Sequence, residues 1–412
     1  MKAVPKYSRS IEDYRRIIGE DAFTQLLNVA SMLAGKRIVH VNSTAYGGGV
    51  AEILHSMVPL MRSLGIDTEW QVLEAEPEFF QVTKKLHNAL QGNYEIELTE
   101  EEKNIYFKWN RYNAEILDLD ADVVLIHDPQ PAALPLFREN RRGVWVWRCH
   151  IDISSPNDSV YRFIAQLLPL YKGVIVHSED YVKPEFAEKV LISPPSIDPL
   201  SDKNRLLPRE EATRIAEKFG VDESKPILAK VARFDPWKDV FSTVDVYRLL
   251  AKKYPGLQLL LISSMASDDP EGAVFYKKVL DYVKGDKGVF ILTDERGVHD
   301  LEVNAFQTLT TVGLHTAIRE GFGLAVTEFL WKKVPVVARP VGGVKKQVID
   351  GVTGYTAWSV EDLAEKASQL LADPEARRRL GEAGRTRVLE NFVITRHIQR
   401  YLEFFTRLLQ GS

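Results

Sequence analysis

The stretch Thr311-Val312-Gly313-Leu314-His315-Thr316-Ala317-Ile318-Arg319-Glu320-Gly321-Phe322-Gly323-Leu324-Ala325-Val326-Thr327-Glu328 decides how this chain folds. Thr311–Leu314 is apolar on both faces, as a parallel strand covered by helices must be. A polar turn follows, and Gly321 and Gly323 should begin a helix that carries Glu328 one to two turns in. Strand, turn and helix in that order make half of a βαβ unit.

The same grammar runs outward in both directions. Upstream, Ile227–Val231, Leu257–Ser263 and Val289–Leu292 read as buried strands, and Pro335–Ala338 follows downstream. The first half offers Arg37–Asn42, Asp122–His127, Val144–Arg148, Gly173–His177 and Val190–Ser193. Each is separated from the next by a stretch long enough for a crossover helix. The α/β pattern therefore occurs twice. Pro194-Pro195-Ser196-Ile197-Asp198-Pro199 can be neither helix nor a good strand, and a new helix begins near Pro208-Arg209-Glu210-Glu211. These signals place a domain boundary near residue 205, giving domains 1–205 and 206–391. The segment from Asn391 to Leu409 carries aromatic and aliphatic residues at helical spacing and needs a surface to cover.

At 412 residues the chain is long enough for two cores. It is 45% hydrophobic and 27% charged, as soluble globular proteins are. A formal net charge of −4 argues against nucleic acid or an anionic membrane as a partner attracted by bulk charge. The apolar runs are far shorter than the ~20 residues of a membrane span. Met1 to Ser10 has no apolar export core, and Cys149 is the single cysteine. A reducing cytoplasm is the expected compartment.

Ligands of open parallel sheets bind beyond the C-terminal strand ends, so the residues after each strand are the ones to weigh. Gly47-Gly48-Gly49 lies between the first strand and a helix starting near Val50. Its spacing fits neither the dinucleotide fingerprint nor a Walker loop. It is either a ligand-approaching loop, with Gly48 and Gly49 pointing amides at the ligand, or a plain flexible turn. Arg233 and Lys238, five residues apart after a strand, suit a diphosphate, Arg as a planar fork and Lys as a point charge. The bland alternative is two solvated cations. Glu320 and Glu328 flank the glycine turn, so one carboxylate can face a sugar and the other a ribose. Their alternative is a glycine-capped core helix with a glutamate at each end.

His127, His150 and His177 each end a strand. His150 is the best sugar-contacting choice, with Asp152 close enough in sequence to interact with it, and His177 reads as structural. Cys149 has no catalytic surroundings and reads as buried and inert. Asp118, Asp120 and Asp122 look like a metal motif but precede their strand. They belong to the edge opposite the ligands and read as a solvated turn, and no His/Cys cluster has zinc spacing.

Together these residues resemble retaining glycosyltransferase family 4. The run from Glu320 to Glu328 with Gly-Phe-Gly inside it is similar to the family's paired-glutamate motif. Arg233 and Lys238 match its diphosphate pair, Gly47-Gly48-Gly49 its N-terminal glycine loop, and His150 its sugar-contacting histidine. The words His127-Asp128-Pro129-Gln130-Pro131, Trp147-Arg148-Cys149-His150-Ile151-Asp152 and Pro194 to Leu200 narrow the resemblance to trehalose glycosyltransferring synthases and related trehalose phosphorylases. Ala317, where the pattern has Ser, and Lys333, where it has Gly, depart from the family.

The resemblance implies a GT-B architecture, two facing Rossmann-like domains with parallel sheets and an interdomain cleft, and a final helix from about 392 to 412 crossing back to the first. It implies a donor of UDP-, ADP- or GDP-glucose and an acceptor of free glucose, joined as α,α-trehalose with retention. In that reading the diphosphate lies among Arg233, Lys238 and the turn Gly321, Phe322, Gly323 and Leu324. Glu328 takes the ribose, Leu292 the region of the base, and Glu320 the transferred glucose. Gly48, Gly49, Gln130 and Asp152 bind the acceptor, and His150 orients a sugar hydroxyl. No tightly bound cofactor is implied, Mg2+ serving at most as a diphosphate counterion, and the family leaves a homodimer open. A phosphorylase using inorganic phosphate in the same pocket, and a non-catalytic nucleotide-sugar sensor, are the competing readings.

Overall fold

The computed structural model describes residues 1–46, 49–263 and 270–411, without the side chains of 270–273. The chain divides into two compact units. The first comprises Met1–Pro195 together with Ile394–Ser412, and the second Ser196–Val393.

The first unit is built on six parallel strands: β1 Arg37–Asn42, β2 Asp67–Val72, β3 Val123–His127, β4 Val144–Arg148, β5 Gly173–Val176 and β6 Val190–Ile192. They lie in the order β2-β1-β3-β4-β5-β6. The chain moves outward from β1 to β2, then returns to place β3 on the other flank of β1. The second unit repeats this plan with β7 Ile227–Val231, β8 Gln258–Ser263, β9 Val289–Thr293, β10 Val312–His315, β11 Val336–Ala338 and β12 Gly354–Thr356. Its order is β12-β11-β10-β7-β8-β9. Here β7, β8 and β9 run one way and β10 starts again on the opposite flank of β7. Each sheet thus has one point where the direction of winding reverses, β1/β3 in the first and β7/β10 in the second. Such points open a crevice at the C-terminal strand ends.

The cores follow the alternation of the strands. Val39, Val41, Trp145 and Trp147 bury one face of the first sheet, while Leu259, Leu261, Val312 and Leu314 do the same in the second. The final helix, Ile394–Gln410, buries Ile398, Tyr401, Leu402 and Phe405 and packs on the first unit against the helices Glu20–Ser31 and Gly49–Ser63.

The division falls at Pro195/Ser196, about ten residues before the break expected near residue 205. The intervening residues are tied to the second unit. Trp331 Nε1 donates to Asn204 O at 2.8 Å, and Asn304 Nδ2 donates to Asp202 O and Arg205 O at 2.8 and 2.9 Å. Two strands escaped the sequence reading, β2 and β12. Both are edge strands. β2 carries Asp67, Glu69 and Gln71, and β12 has three residues, so neither gives a continuous apolar run.

Candidate active site

In the second unit the winding reversal lies between β7 and β10, and the residues after both strands meet there. After β7, Asp235 caps the short helix Pro236–Lys238 and accepts from Lys238 N. Asp239 then takes a left-handed conformation, φ 44°, and caps the helix Val240–Ala251 by accepting from Ser242 N. That conformation is uncommon for a non-glycine residue, and Arg339 braces it. Arg339 Nη1 donates to Asp239 Oδ2 and to Thr316 O, each at 2.6 Å, and its Nη2 donates to Ser242 Oγ at 3.0 Å. The brace directs Lys238 toward the turn after β10. There Lys238 Nζ donates to both oxygens of Glu320, at 2.9 and 2.8 Å. His315 Nε2 stands 3.2 Å from Glu320 Oε2. A carboxylate joined to a lysine and a histidine at the crevice is a poor fit to an idle helix flank.

The turn between Glu320 and the helix Leu324–Trp331 is tightly specified. Gly323 adopts φ 83°, and a Cβ there would stand 3.1 Å from His315 Nε2 and 3.3 Å from Glu320 Cγ. Gly342, φ 45°, passes so close that a Cβ would reach within 1.8 Å of Glu320 O. The buried Gln347 donates to Phe322 O at 2.6 Å and accepts from Thr327 Oγ1 at 2.6 Å. Phe322 is buried, and Gly321 and Leu324 are partly exposed. Gly323 is the N-cap residue, so the first amides of this eight-residue helix open beside Glu320 and favour an anion.

Arg233 is exposed, and its guanidinium meets no carboxylate among the described residues. Glu328 is 2% exposed. Its Oε2 accepts from Gln307 Nε2 at 2.8 Å, and its Oε1 lies 3.1 Å from Lys203 Nζ. Leu292 is a buried residue of β9, which leaves its backbone rather than its side chain for contact with a base.

Besides Arg339, two groups at this edge escaped the sequence reading. Lys230 is buried inside β7, with its Nζ donating to Thr316 Oγ1 at 3.0 Å. Burial above all, and then Lys238, lowers its pKa to about 7. His315 is held well below the ordinary histidine range by burial, then by Lys230 and Lys238. A charged residue inside an apolar strand and a histidine closing the next one were the available signals.

In the first unit the corresponding reversal lies between β1 and β3. His40 on β1 and His127 on β3 meet across it, Nδ1 to Nε2 at 3.0 Å, and His127 Nδ1 reaches His150 Nε2 at 2.9 Å. The three rings are stacked in sequence. Asp152 does not partner His150. Its Oδ1 accepts from Ser154 N and Ser154 Oγ at 2.8 and 2.6 Å and closes its own turn. The carboxylate beside His150 is Asp128, in a left-handed conformation of φ 64°, whose Oδ1 accepts from His150 N at 2.7 Å. Burial raises the Asp128 carboxyl to about 7.

Gln130 follows β3, partly buried, and Gly49 opens the helix Gly49–Ser63. Gly47 and Gly48 lie outside the described residues. Cys149 is buried and its thiol is pushed up by that burial. His177 is buried with its ring edge-on to Tyr181. Asp118 pairs with Arg37 at 2.6 Å and Asp122 with Lys36 at 3.1 Å, at the N-terminal strand ends, the edge opposite the one where such sheets bind ligands.

The description "Trehalose synthase, N-terminal domain" matches residues 40–183, and "Glycosyl transferases group 1" matches residues 211–387. A trehalose synthase of Pyrococcus horikoshii is 50% identical over 402 residues, 97% of each chain. The chain belongs to the trehalose synthase family. A trehalose synthase of Rubrobacter xylanophilus is 42% identical, again over 97% of each chain. A trehalose phosphorylase of Pleurotus pulmonarius is 28% identical over 92% of this chain and 58% of its own. Among solved structures, sucrose-phosphate synthase from Thermosynechococcus elongatus has a TM-score of 0.69 at 17% identity, covering 92% of this chain and all of the other. Anabaena HepE in complex with UDP-glucose has a TM-score of 0.65 at 16% identity, with the same coverage. These likenesses show that the family member described here has the GT-B fold of glycosyltransferases. No described helix is long and apolar enough to cross a membrane.

Proposed function

We propose that this trehalose-forming glycosyltransferase moves glucose from a nucleoside diphosphate onto free glucose, retaining the α configuration. The observation that carries the reading is the Lys238–Glu320–His315 cluster at the β7/β10 reversal, beside the first amides of the Leu324–Trp331 helix. Lys238, Arg233 and the amides of Gly323 and Leu324 supply the positive field that a diphosphate needs. Glu320 accepts hydroxyl hydrogen bonds from the transferred glucose. Glu328 takes the ribose in exchange for its contact with Lys203, and the backbone of Leu292 borders the base.

The bond between C1 of the donor glucose and the diphosphate oxygen breaks while the acceptor hydroxyl oxygen bonds to C1 from the same face. The acceptor proton passes to the departing phosphate oxygen. Negative charge grows on the leaving diphosphate, and the fixed cations lower the barrier because they need no reorganisation as it forms. In the first unit His150 orients a sugar hydroxyl, and Gln130, Asp152 and Gly49 are read as lining the acceptor.

Incubating the enzyme with glucose and, separately, UDP-, ADP- and GDP-glucose tests the reading, with Glu320→Gln as the comparison. Trehalose should accumulate with at least one donor. In Glu320→Gln turnover should fall by about 30- to 1,000-fold, the equivalent of ~2–4 kcal/mol in the transition state, while affinity for the nucleoside diphosphate changes little. Failure with all three donors, alongside release of glucose 1-phosphate from trehalose and inorganic phosphate, would replace the transferase by a phosphorylase.

A further inference from the structure

The histidine chain of the first unit contains more than the sugar-orienting role of His150 requires. His127 and His40 are both buried, neither touches solvent enough to serve a ligand, and yet their rings are aligned nitrogen to nitrogen with His150 at 2.9 and 3.0 Å. In a neutral imidazole one nitrogen donates and the other accepts. A chain of three such rings therefore has two self-consistent arrangements, with every proton pointing toward His150 or every proton pointing toward His40. Which one is occupied decides what His150 offers at its remaining nitrogen.

The far end of the chain makes the choice. His40 Nε2 is buried and meets no hydrogen-bond partner among the described residues. A stranded N–H in the interior costs more than a stranded lone pair, so the His40 proton belongs on Nδ1. It then donates to His127 Nε2. The single His127 proton sits on Nδ1 and donates to His150 Nε2, and the proton of His150 is left on Nδ1. We infer that His127 and His40 are positioning residues that hold His150 in the Nδ1–H tautomer, so that it presents a hydrogen-bond donor to a sugar hydroxyl.

The surroundings favour a neutral chain over a charged one. Arg148, fully buried on the adjacent strand β4, acts on both His127 and His150, and His397 from the final helix acts on both as well. Burial is the larger influence on each ring, and these neighbours add to it in the same direction. Asp128 offers its Oδ1 to the His150 backbone amide, and His177 acts on His150 in the same direction as Arg148 and His397. The consequence is chemical. A histidine fixed as a donor at Nδ1 cannot take the acceptor proton there, which leaves that proton to the departing phosphate. The inference rests on the proposed role of His150 toward a sugar, but its first test needs no sugar.

The full chain labelled with 15N-histidine gives nine ring systems, and comparison with His150→Gln identifies the His150 pair. In the wild-type protein Nδ1 of His150 should give the signal of a protonated nitrogen and Nε2 that of an unprotonated one. His127→Leu removes the donor to Nε2, so the His150 signals should shift toward the opposite tautomer. Its kcat for trehalose formation should fall roughly tenfold to a hundredfold, the loss of one aligned hydrogen bond, with affinity for the nucleoside diphosphate unchanged. In His127→Asn the amide nitrogen can occupy the place of Nδ1 and donate in its stead, so tautomer and most of the activity should return. An unprotonated Nδ1 in the wild type, or equal loss in the Leu and Asn variants, overturns the inference. Should His127→Leu not fold, the wild-type spectrum alone decides. A wild-type protein that forms no trehalose would instead remove the proposed function and leave the tautomer result standing.

Discussion

Lys230 lies inside β7 with its ammonium on Thr316, and with Lys238, Glu320, Asp239 and Arg339 around it. Its folded pKa, about 7, lies below the ordinary lysine value of 10.5. The unfolded chain therefore binds the extra proton between pH 7 and 10.5, and the folded state gains stability from this group as pH rises through that window. Below pH 7 both states are protonated and the penalty is present in full. Lys230→Met removes the penalty, so its stability relative to wild type should be greatest below pH 7 and shrink by roughly 2 kcal/mol between pH 7 and pH 9. Denaturant unfolding of both proteins at the two pH values measures this, and a difference that does not move with pH contradicts it. Lys238, Glu320 and His150 were legible in the sequence because each stands in a post-strand turn with recognisable spacing. Lys230, His315 and Arg339 were not, because they lie in or directly after strands whose surrounding letters announce only a core. Asp152 misled for a related reason. Nearness in sequence suggested a partner for His150, whereas the ring pairs with His127 on the neighbouring strand.

The helix Leu324–Trp331 shows how an element can carry a function and a defect together. Its N-terminus opens beside Glu320, while its C-terminus closes as a Schellman motif. Lys333 N donates to Leu330 O and Val334 N to Phe329 O, both at 3.0 Å. The motif needs a left-handed residue, usually glycine, and here Lys333 fills it at φ 60°. Among the described residues its ammonium has only a long contact with the half-exposed Glu382, at 3.8 Å, worth little at the surface. Lys333→Gly should therefore stabilise the protein by about 1 kcal/mol without altering donor affinity. Thermal unfolding would show it as a raised Tm, and a lowered Tm would mean that the lysine stem contributes packing the backbone term does not outweigh. At this scale ten of the twelve described strands could be read from their apolar runs, the edge strands β6 and β9 among them. The edge strands β2 and β12 could not, since β2 is interrupted by Asp67, Glu69 and Gln71 and β12 is three residues long and opens on a glycine.

At the level of the molecule, one plan is used twice and put to two purposes. Both sheets reverse their winding beside their first strand, and both bring polar groups to that point, histidines in the first unit and cations with a carboxylate in the second. The sequence showed the duplication through its two sets of strands. It placed the boundary late because residues 196–205 resemble a linker, while their hydrogen bonds to Trp331 and Asn304 make them part of the second unit. If donor binding belongs to the second unit, it depends on Arg233 and Lys238, since one is exposed with no carboxylate to satisfy it among the described residues and the other reaches Glu320 at the reversal. The direct measurement is calorimetric affinity for the best-bound of UDP, ADP and GDP in the wild type, Arg233→Ala, Lys238→Ala and the double variant. Each single change should weaken binding about tenfold or more, and the double should lose less than the product of the two, because both cations serve one charged group. Near-wild-type affinity in both single variants would contradict the account and remove the diphosphate from this edge of the sheet.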